Sequence, residues 1–363
     1  MKQAPAIASI RSLCSLGLPG EQLIPALLET LHRYIPSSRN LFDWTDRHGN
    51  LIRYYFEGPI DARVARHYFE EFHNKREAEA MPAFRQSVMG RAVVRTAAEL
   101  ANARFFRSAL YNEIWKPQGL HTRIEAIVRS ARDDPIGSLV LYRESGDLPF
   151  DAADEKLLEA LVPYIARGLE PDAAVALPSE YVEHGTRRAV LSLSGEGRLL
   201  HVSQDAHKLL LLSHGGITPA SASREPESCE YPTLTLLVQQ VRQNSGASRR
   251  QVGLTVENAW GRFVFQAEPL AAVGGAGAPA IHVTIQHLEP RSIAWRRGLD
   301  ALPLSVVQRE VCTLLRAGYT HAQIATALSV APSTVADHVK KIYNKLDVHS
   351  VHELCERLEG SVS

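Results

Sequence analysis

Cysteine and methionine are scarce in this chain, four and three among 363 residues. The cysteines, Cys14, Cys229, Cys312 and Cys355, lie far apart and form no Cys-x-x-Cys. That excludes a zinc ribbon and a disulfide framework and fits a reducing, cytoplasmic compartment. No apolar run nears the roughly twenty residues that span a bilayer; the leucine run 209–212 is far too short. The first residues, interrupted by Pro5, Arg11 and Gly17, make a poor signal peptide. Neither sign of charge is in excess, with 40 Lys plus Arg against 40 Asp plus Glu. Gly-x-x-x-x-Gly-Lys-Ser/Thr, Gly-x-Ser-x-Gly and His-Glu-x-x-His are all missing, which removes a phosphate loop, a nucleophile elbow and a zinc-protease helix. The chain is therefore expected to be no enzyme and to need no cofactor or metal. An enzyme with a cryptic active site is the alternative of another class.

What is present concentrates at the C-terminal end. Ser305 with Gln308, Thr320 with Gln323 and Ser350 with Glu353 each place Ser or Thr three residues before Gln or Glu, ahead of an apolar run. This reciprocal cap satisfies orphan backbone donors where a helix starts. Between the second and third lies Pro332, suited to a first helical position. After it Val335, Val339, Ile342 and Leu346 recur on one helical face. The pattern predicts four short helices, the third over about 332–346, with a tight turn at Ser329, Val330 and Ala331. Two helices joined by such a turn are how many proteins place a helix in a DNA major groove.

The segment 304–348 resembles the DNA-binding domain of LuxR-type transcriptional regulators. The residues that carry the resemblance are Leu304-Ser305, Arg309-Glu310-Val311, Leu314-Leu315, Gly318, Gln323-Ile324-Ala325, Leu328, Val330, Thr334-Val335, His338, Ile342 and Lys345-Leu346-Asp347-Val348. The resemblance implies double-stranded DNA as a partner, a homodimer, and RNA polymerase as a further candidate partner. It implies base contacts from Ser333, Ala336, Asp337 and Lys340. Lys340 suits guanine O6 or N7, Asp337 cytosine N4, and Ala336 a thymine methyl. Thr334, His338, Lys341 and Lys345 suit phosphates, which position rather than specify. Val351, Leu354 and Leu358 on the last helix are the expected dimer face. Two positions depart from the family: Ala336 stands where a basic residue is common, and Ala331 where a Ser or Thr cap is common. From Asp300 onward the chain has six Lys plus Arg against seven Asp plus Glu. Affinity for DNA must then rest on a local patch and on two copies.

Upstream, composition and periodicity predict two further units. In the first, 1–170, helices are expected at 21–35, 61–80, 102–115 and 151–169, with strand pairs at 41–44 and 51–56 and at 124–129 and 138–142. An antiparallel sheet flanked by helices follows, and it resembles a GAF-type sensory domain. Such a domain holds a small-molecule effector between sheet and helices; the candidate pocket residues are Trp44, Tyr54, Phe105, Phe106, Tyr111 and Trp115. A linker is expected at 171–184. The second unit, 185–290, shows a hairpin around Gly195 and Gly197, a helix at 205–212, and a Gly-, Ser- and Pro-rich mobile loop at 213–232. A helix at 233–243 and strands at 251–256, 261–267 and 281–287 complete it, with a Gly-Ala loop at 273–279 between the last two. That order resembles a PAS-like core. His282 and His287 fall on opposite strand faces and read as structural or solvent-facing. A connector, 291–302, leads into the C-terminal domain, 303–363.

The fold class expected is α+β: two antiparallel-sheet, sensor-like domains followed by an all-α four-helix domain. The function expected is a transcriptional regulator controlled by a signal sensed upstream. The alternative is upstream regions that only dimerise or bind protein partners. A phosphorylated receiver domain is disfavoured, because its acidic pair is missing near the start. A sigma factor is disfavoured by His338, Lys345-Leu346 and the sensor-like upstream region.

Overall fold

The computed structural model describes residues 3–170, 177–178, 180–244, 251–271 and 279–360. Of the expected linker and Gly-Ala loop, 171–176, 179 and 273–278 lie outside the described residues.

The chain opens with α1 (Gln3–Cys14) and α2 (Gly20–Leu31). A hairpin of β1 (Arg39–Thr45) and β2 (Leu51–Phe56) follows. Its turn is made by Asp46, whose Oδ1 accepts from the backbone N–H of His48 and of Asn50, with Gly49 at φ 75°. This is the Asx turn that Asp favours.

The segments expected as long helices at 61–80 and 102–115 are broken. α3 (Ala62–His67), capped by Asp61, runs into a π turn at Tyr68–Phe72 and a 3₁₀ turn at Arg76–Glu79. Buried Glu77 is the reason. Its carboxylate accepts from Tyr68 Oη at 2.5 Å and from the N–H groups of Asn74 and Phe84 at 3.0 Å each. A continuous helix would place those backbone donors elsewhere. Then come α4 (Phe84–Met89), β3 (Val94–Arg95), α5 (Ala97–Leu100), α6 (Ala103–Phe106) and a π turn at Leu110–Trp115. β4 (Leu120–Arg129) and β5 (Pro135–Glu144) complete an antiparallel sheet of order β2-β1-β5-β4-β3. α7 (Ala152–Leu169) closes the unit, its start fixed by a capping box between Asp151 and Asp154.

Strand period two divides this sheet cleanly. Phe42, Trp44, Ile124, Ala126, Leu139 and Leu141 face a core shared with α1, α2 and α7. Cross-strand partners of Leu41 and Asp43 lie on the other face, under the short helices and π turns.

The second sheet has the order β8-β7-β11-β10-β9, with β6 paired to β11. Its strands are β6 (Tyr181–Val182), β7 (Arg188–Ser194), β8 (Leu199–Val202), β9 (Val252–Asn258), β10 (Gly261–Leu270) and β11 (Ala280–Pro290). α8 (Ala206–Ser213), α9 (Pro219–Ala222) and α10 (Pro232–Gln243) lie between β8 and β9. The stretch expected as a mobile loop is structured. Thr218 caps α9, and fully buried Ile217 bridges to Tyr54, its carbonyl accepting from Tyr54 N–H at 2.9 Å. The cause is that Ile217 and Ala222 find apolar surface on the neighbouring unit, which composition alone does not reveal.

The two sheets thus share one core. Trp260 of the second unit packs edge-on against Trp44 at 5.6 Å and stacks on Tyr55 at 5.9 Å. Lys208 of α8 donates to Phe56 O at 2.7 Å across the same boundary.

β11 leads directly into α11 (Arg291–Ala301), so the connector is helical. α12 (Val306–Arg316), α13 (His321–Leu328), α14 (Pro332–Leu346) and α15 (Val351–Gly360) follow. Together with Trp295 and Leu299 of α11 they enclose a separate core. The capping boxes of Ser305 and Thr320 are formed as expected. Ser350 receives Glu353 N–H at 3.1 Å, while the Glu353 carboxylate reaches out to His349 N–H at 2.8 Å. Among the described residues no helix is long and apolar enough to cross a membrane.

Candidate functional site

α13 and α14 are joined by a turn through Ser329, which takes a left-handed conformation at φ 54°. Ala331 precedes α14 without a side-chain cap, and Pro332 starts the helix. Val335, Val339, Ile342 and Leu346 are buried against α12 and α13. On the opposite side Ser333, Ala336, Asp337, Lys340, Lys341 and Asn344 are exposed. Among the described residues no upstream element covers them.

The expected phosphate contacts separate into three groups. Lys341 is free to meet a phosphate, whereas Thr334 and His338 are half-buried on the flank. Lys345 is exposed but tied to the bundle. Its ammonium donates to Pro303 O at 3.1 Å and to Gln308 Oε1 at 3.2 Å, bracing the start of α12.

The expected dimer face is a correction. Leu354 and Leu358 are fully buried, and Val351 is half-buried, in the chain's own core. The reason is α11, which lays Trp295 and Leu299 over α15. The approach is close: a Cβ on Gly298 would stand 3.1 Å from Leu358 O. A connector read by sequence as a passage between domains is a fifth helix of the bundle.

A second site lies in the first unit, between the sheet and its short helices. It is a cavity of about 140 Å³. Of the six aromatics expected to line it, Tyr54 and Trp115 do. Trp44 sits on the opposite sheet face. Phe105 is fully buried in the core beside the cavity. Phe106 stacks on His121 at 4.7 Å, and Tyr111 Oη lies 2.8 Å from His121 Nδ1, so both are committed away from the cavity.

The chemistry of the cavity comes from residues outside the expected aromatic set. Asp43, Glu77, Arg123, Glu125, Tyr68 and Tyr142 all line it. Asp43, Arg123, Glu125 and Tyr142 reach one face because they occupy alternate positions in register across β1, β5 and β4. Burial, reinforced by Glu125 and only partly offset by Arg123, raises the Asp43 pKa well above the usual carboxyl range. The available signal was charge inside strands: Arg123 and Glu125 alternate with Ile124 and Ala126 in a run that is otherwise a buried strand.

His287, expected to be structural or solvent-facing, is buried. Its Nε2 donates to Trp260 O at 2.7 Å, and its ring stacks on Phe263 at 4.2 Å. Among the described residues no cluster of His, Cys, Asp and Glu is arranged to hold a metal ion.

Residues 302–357 match the family model described as bacterial regulatory proteins, luxR family. The C-terminal bundle is a domain of that family. No curated protein matches the chain by sequence. Among solved structures, Escherichia coli SdiA aligns at 11% identity over 94% of this chain and 92% of its own, with a TM-score of 0.30. The Vibrio cholerae VqmA dimer, described as a LuxR-type receptor, aligns at 16% identity over 49% of this chain and 84% of its own, with a TM-score of 0.21. A phycoerythrobilin-bound GAF domain from a cyanobacterial phytochrome aligns at 14% identity over 46% of this chain and 96% of its own, with a TM-score of 0.32. TM-scores this low do not establish a shared fold, so the family of residues 302–357 rests on sequence.

Proposed function

We propose that this chain is a transcription regulator that reads the major groove of promoter DNA with α14 and is controlled by a small effector held in the first unit. The observation that carries the reading is the bare face of α14 in a luxR-family domain: Ser333, Ala336, Asp337 and Lys340 stand exposed, opposite the buried stripe of Val335, Val339, Ile342 and Leu346. Lys340 supplies donors for guanine, Asp337 an acceptor for cytosine N4, and Ala336 a methyl contact for thymine. Lys341 takes a phosphate. From Asp300 onward basic residues do not outnumber acidic ones, so two copies on two half-sites supply the affinity.

Control runs through contacts that exist in the chain. Tyr54 and Phe56 line the cavity and also touch the second unit, through Ile217 and Lys208. β11 of that unit continues into α11, which packs on α15 and, through Asp300, holds Arg309 of α12. An effector that favours one arrangement of the two units shifts the population of DNA-competent bundles. The first unit acts in the manner of a GAF domain and the second in that of a PAS domain. Contact with RNA polymerase follows promoter binding, and no catalytic step is involved.

The test is retention of genomic DNA fragments by the purified full-length protein, followed by sequencing. A short, roughly palindromic consensus is the expected result. If neither the full chain nor residues 291–363 enriches any sequence, the groove-reading assignment of α14 is wrong.

A further inference from the structure

The cavity in the first unit contains a carboxyl group without a partner. Asp43 is 7% exposed and lines the cavity. Among the described residues no hydrogen bond or ion pair reaches its side-chain oxygens. A buried polar group without a partner is costly and marks a place where something else completes the structure.

The charged and titratable groups around it are already committed. On β4, Arg123 faces Glu125 at 3.6 Å, and Glu125 also accepts from Ser138 Oγ at 2.6 Å. On the 3₁₀ turn, Glu77 takes three donors, from Tyr68, Asn74 and Phe84. Asp61, at the rim, caps α3 through the N–H groups of Arg63 and Val64. Burial lowers the His73 pKa and so favours its neutral ring. Burial also raises the pKa of Tyr54, Tyr68 and Tyr142, so all three stay protonated. Arg123 balances Glu125, and Glu77 is saturated with donors. Asp43 has no such donor and no ion pair, and Arg123 offsets its burial only in part.

Apart from Gln118, whose Nε2 donates to Ile114 O, the remaining lining is aromatic and apolar, including Tyr54, Phe69, Phe84 and Trp115. Ring faces attract a positive charge. The volume of about 140 Å³ is close to the ~150 Å³ that receives a benzene molecule in an engineered apolar cavity.

We propose that this cavity binds a small organic monocation, an amine or amidine built on a single ring, with its N–H groups directed at Asp43. This deepens the effector reading by naming the chemical class of the effector. Burial raises the Asp43 pKa and so disfavours the ionised carboxyl when no cation faces it. Binding a cation ionises it, and the carboxyl proton leaves to solvent. Affinity therefore rises with pH until the ligand loses its own charge.

The experiment is calorimetric titration of the full-length protein with probes of one shape and different charge. Benzylammonium and benzamidinium are the cations, benzyl alcohol and benzamide the neutral matches, and benzoate the anion. Both cations are expected to bind at least ~10-fold more tightly than their neutral matches, as a charge-assisted hydrogen bond requires. Proton release, read from titrations in two buffers of different ionisation enthalpy, should accompany binding. Asp43→Asn should erase the advantage of the cations while leaving the melting temperature of the unliganded protein equal or higher. Equal binding of neutral and cationic probes, preference for benzoate, or no binding of either cation overturns the proposal. If Asp43→Asn does not fold, the charge series on the unmodified protein decides alone. DNA affinity is measured with and without the bound cation. A cation that binds without altering DNA affinity supports the ligand class and overturns the effector control proposed above.

Discussion

Asp300, near the end of α11, and Arg309, on α12, are joined at 3.3 Å in a setting where the aspartate side chain is only 5% exposed. The other carboxylate oxygen accepts from Ser9 of α1 at 3.0 Å, and Arg296 stands 3.3 Å from the first. One carboxylate thus ties the N-terminal helix, the connecting helix and the DNA-binding bundle together. Removing it by Asp300→Ala leaves two largely buried guanidinium groups without their partner. The expected cost is about 3 kcal/mol, measured by urea unfolding, together with loss of any effector-dependent change in DNA affinity. A variant as stable as the parent would remove Asp300 from the coupling route.

His287 makes the second unit sensitive to acid. Burial, aided by Arg187 and opposed by the bond to Trp260 O, lowers its pKa from 6.5 to about 3. Between those values the unfolded chain binds a proton that the folded chain refuses. The stability supplied by the neutral ring is complete above pH 6.5 and is lost progressively as pH falls toward 3. Urea midpoints measured downward from neutral pH should fall in this window. The slope should be shallower in His287→Phe, which has no ring proton to gain.

Lys208 crosses between the units. Its ammonium donates to Phe56 O at 2.7 Å and to Gly58 O at 3.3 Å and lies 4.5 Å from the centre of the Tyr55 ring. Lys208→Met keeps the stem and removes the charged donor. It is expected to cost about 2 kcal/mol, seen in thermal unfolding, and to speed hydrogen exchange along β2 more than along β4. Uniform exchange rates in the two strands would contradict this bridging role.

Two lysines close in sequence should behave differently. Lys341→Ala removes a phosphate contact, so the slope of log affinity against log salt should shrink by about one with little change in stability. Lys345→Ala removes the brace to Pro303 and Gln308, and should lower bundle stability by about 1 kcal/mol. Identical salt slopes for both variants would mean that Lys345 leaves its brace when DNA is present.

Local signals made much of this architecture legible. Capping pairs such as Ser305 with Gln308, and alternation such as that in β10, fix elements because their causes lie within a few residues. The α+β class followed from them, while the C-terminal luxR-family domain was legible through the resemblance carried by residues 304–348. What sequence missed depends on distant partners. Glu77 breaks a helix because Tyr68 and Phe84 come round to it. Ile217 orders a loop because Tyr54 is beside it. Leu354 and Leu358 form an apolar face whose occupant, Trp295 and Leu299, could not be told from a second copy of the chain. Trp44 and Asp43 are adjacent, and the aromatic residue drew attention; the sheet turns it away from the cavity and the carboxyl toward it.

The central claim is that α14 reads bases, and Lys340 tests it most directly. Binding of the full chain to its selected site is compared with binding to every single-base variant of that site, for the parent and for Lys340→Ala. The account predicts that the variant loses about 1–3 kcal/mol of discrimination at one guanine position per half-site and keeps its preferences elsewhere. Unchanged preference at every position, or an equal loss of affinity for all sequences, would show that Lys340 does not read a base and would contradict the account.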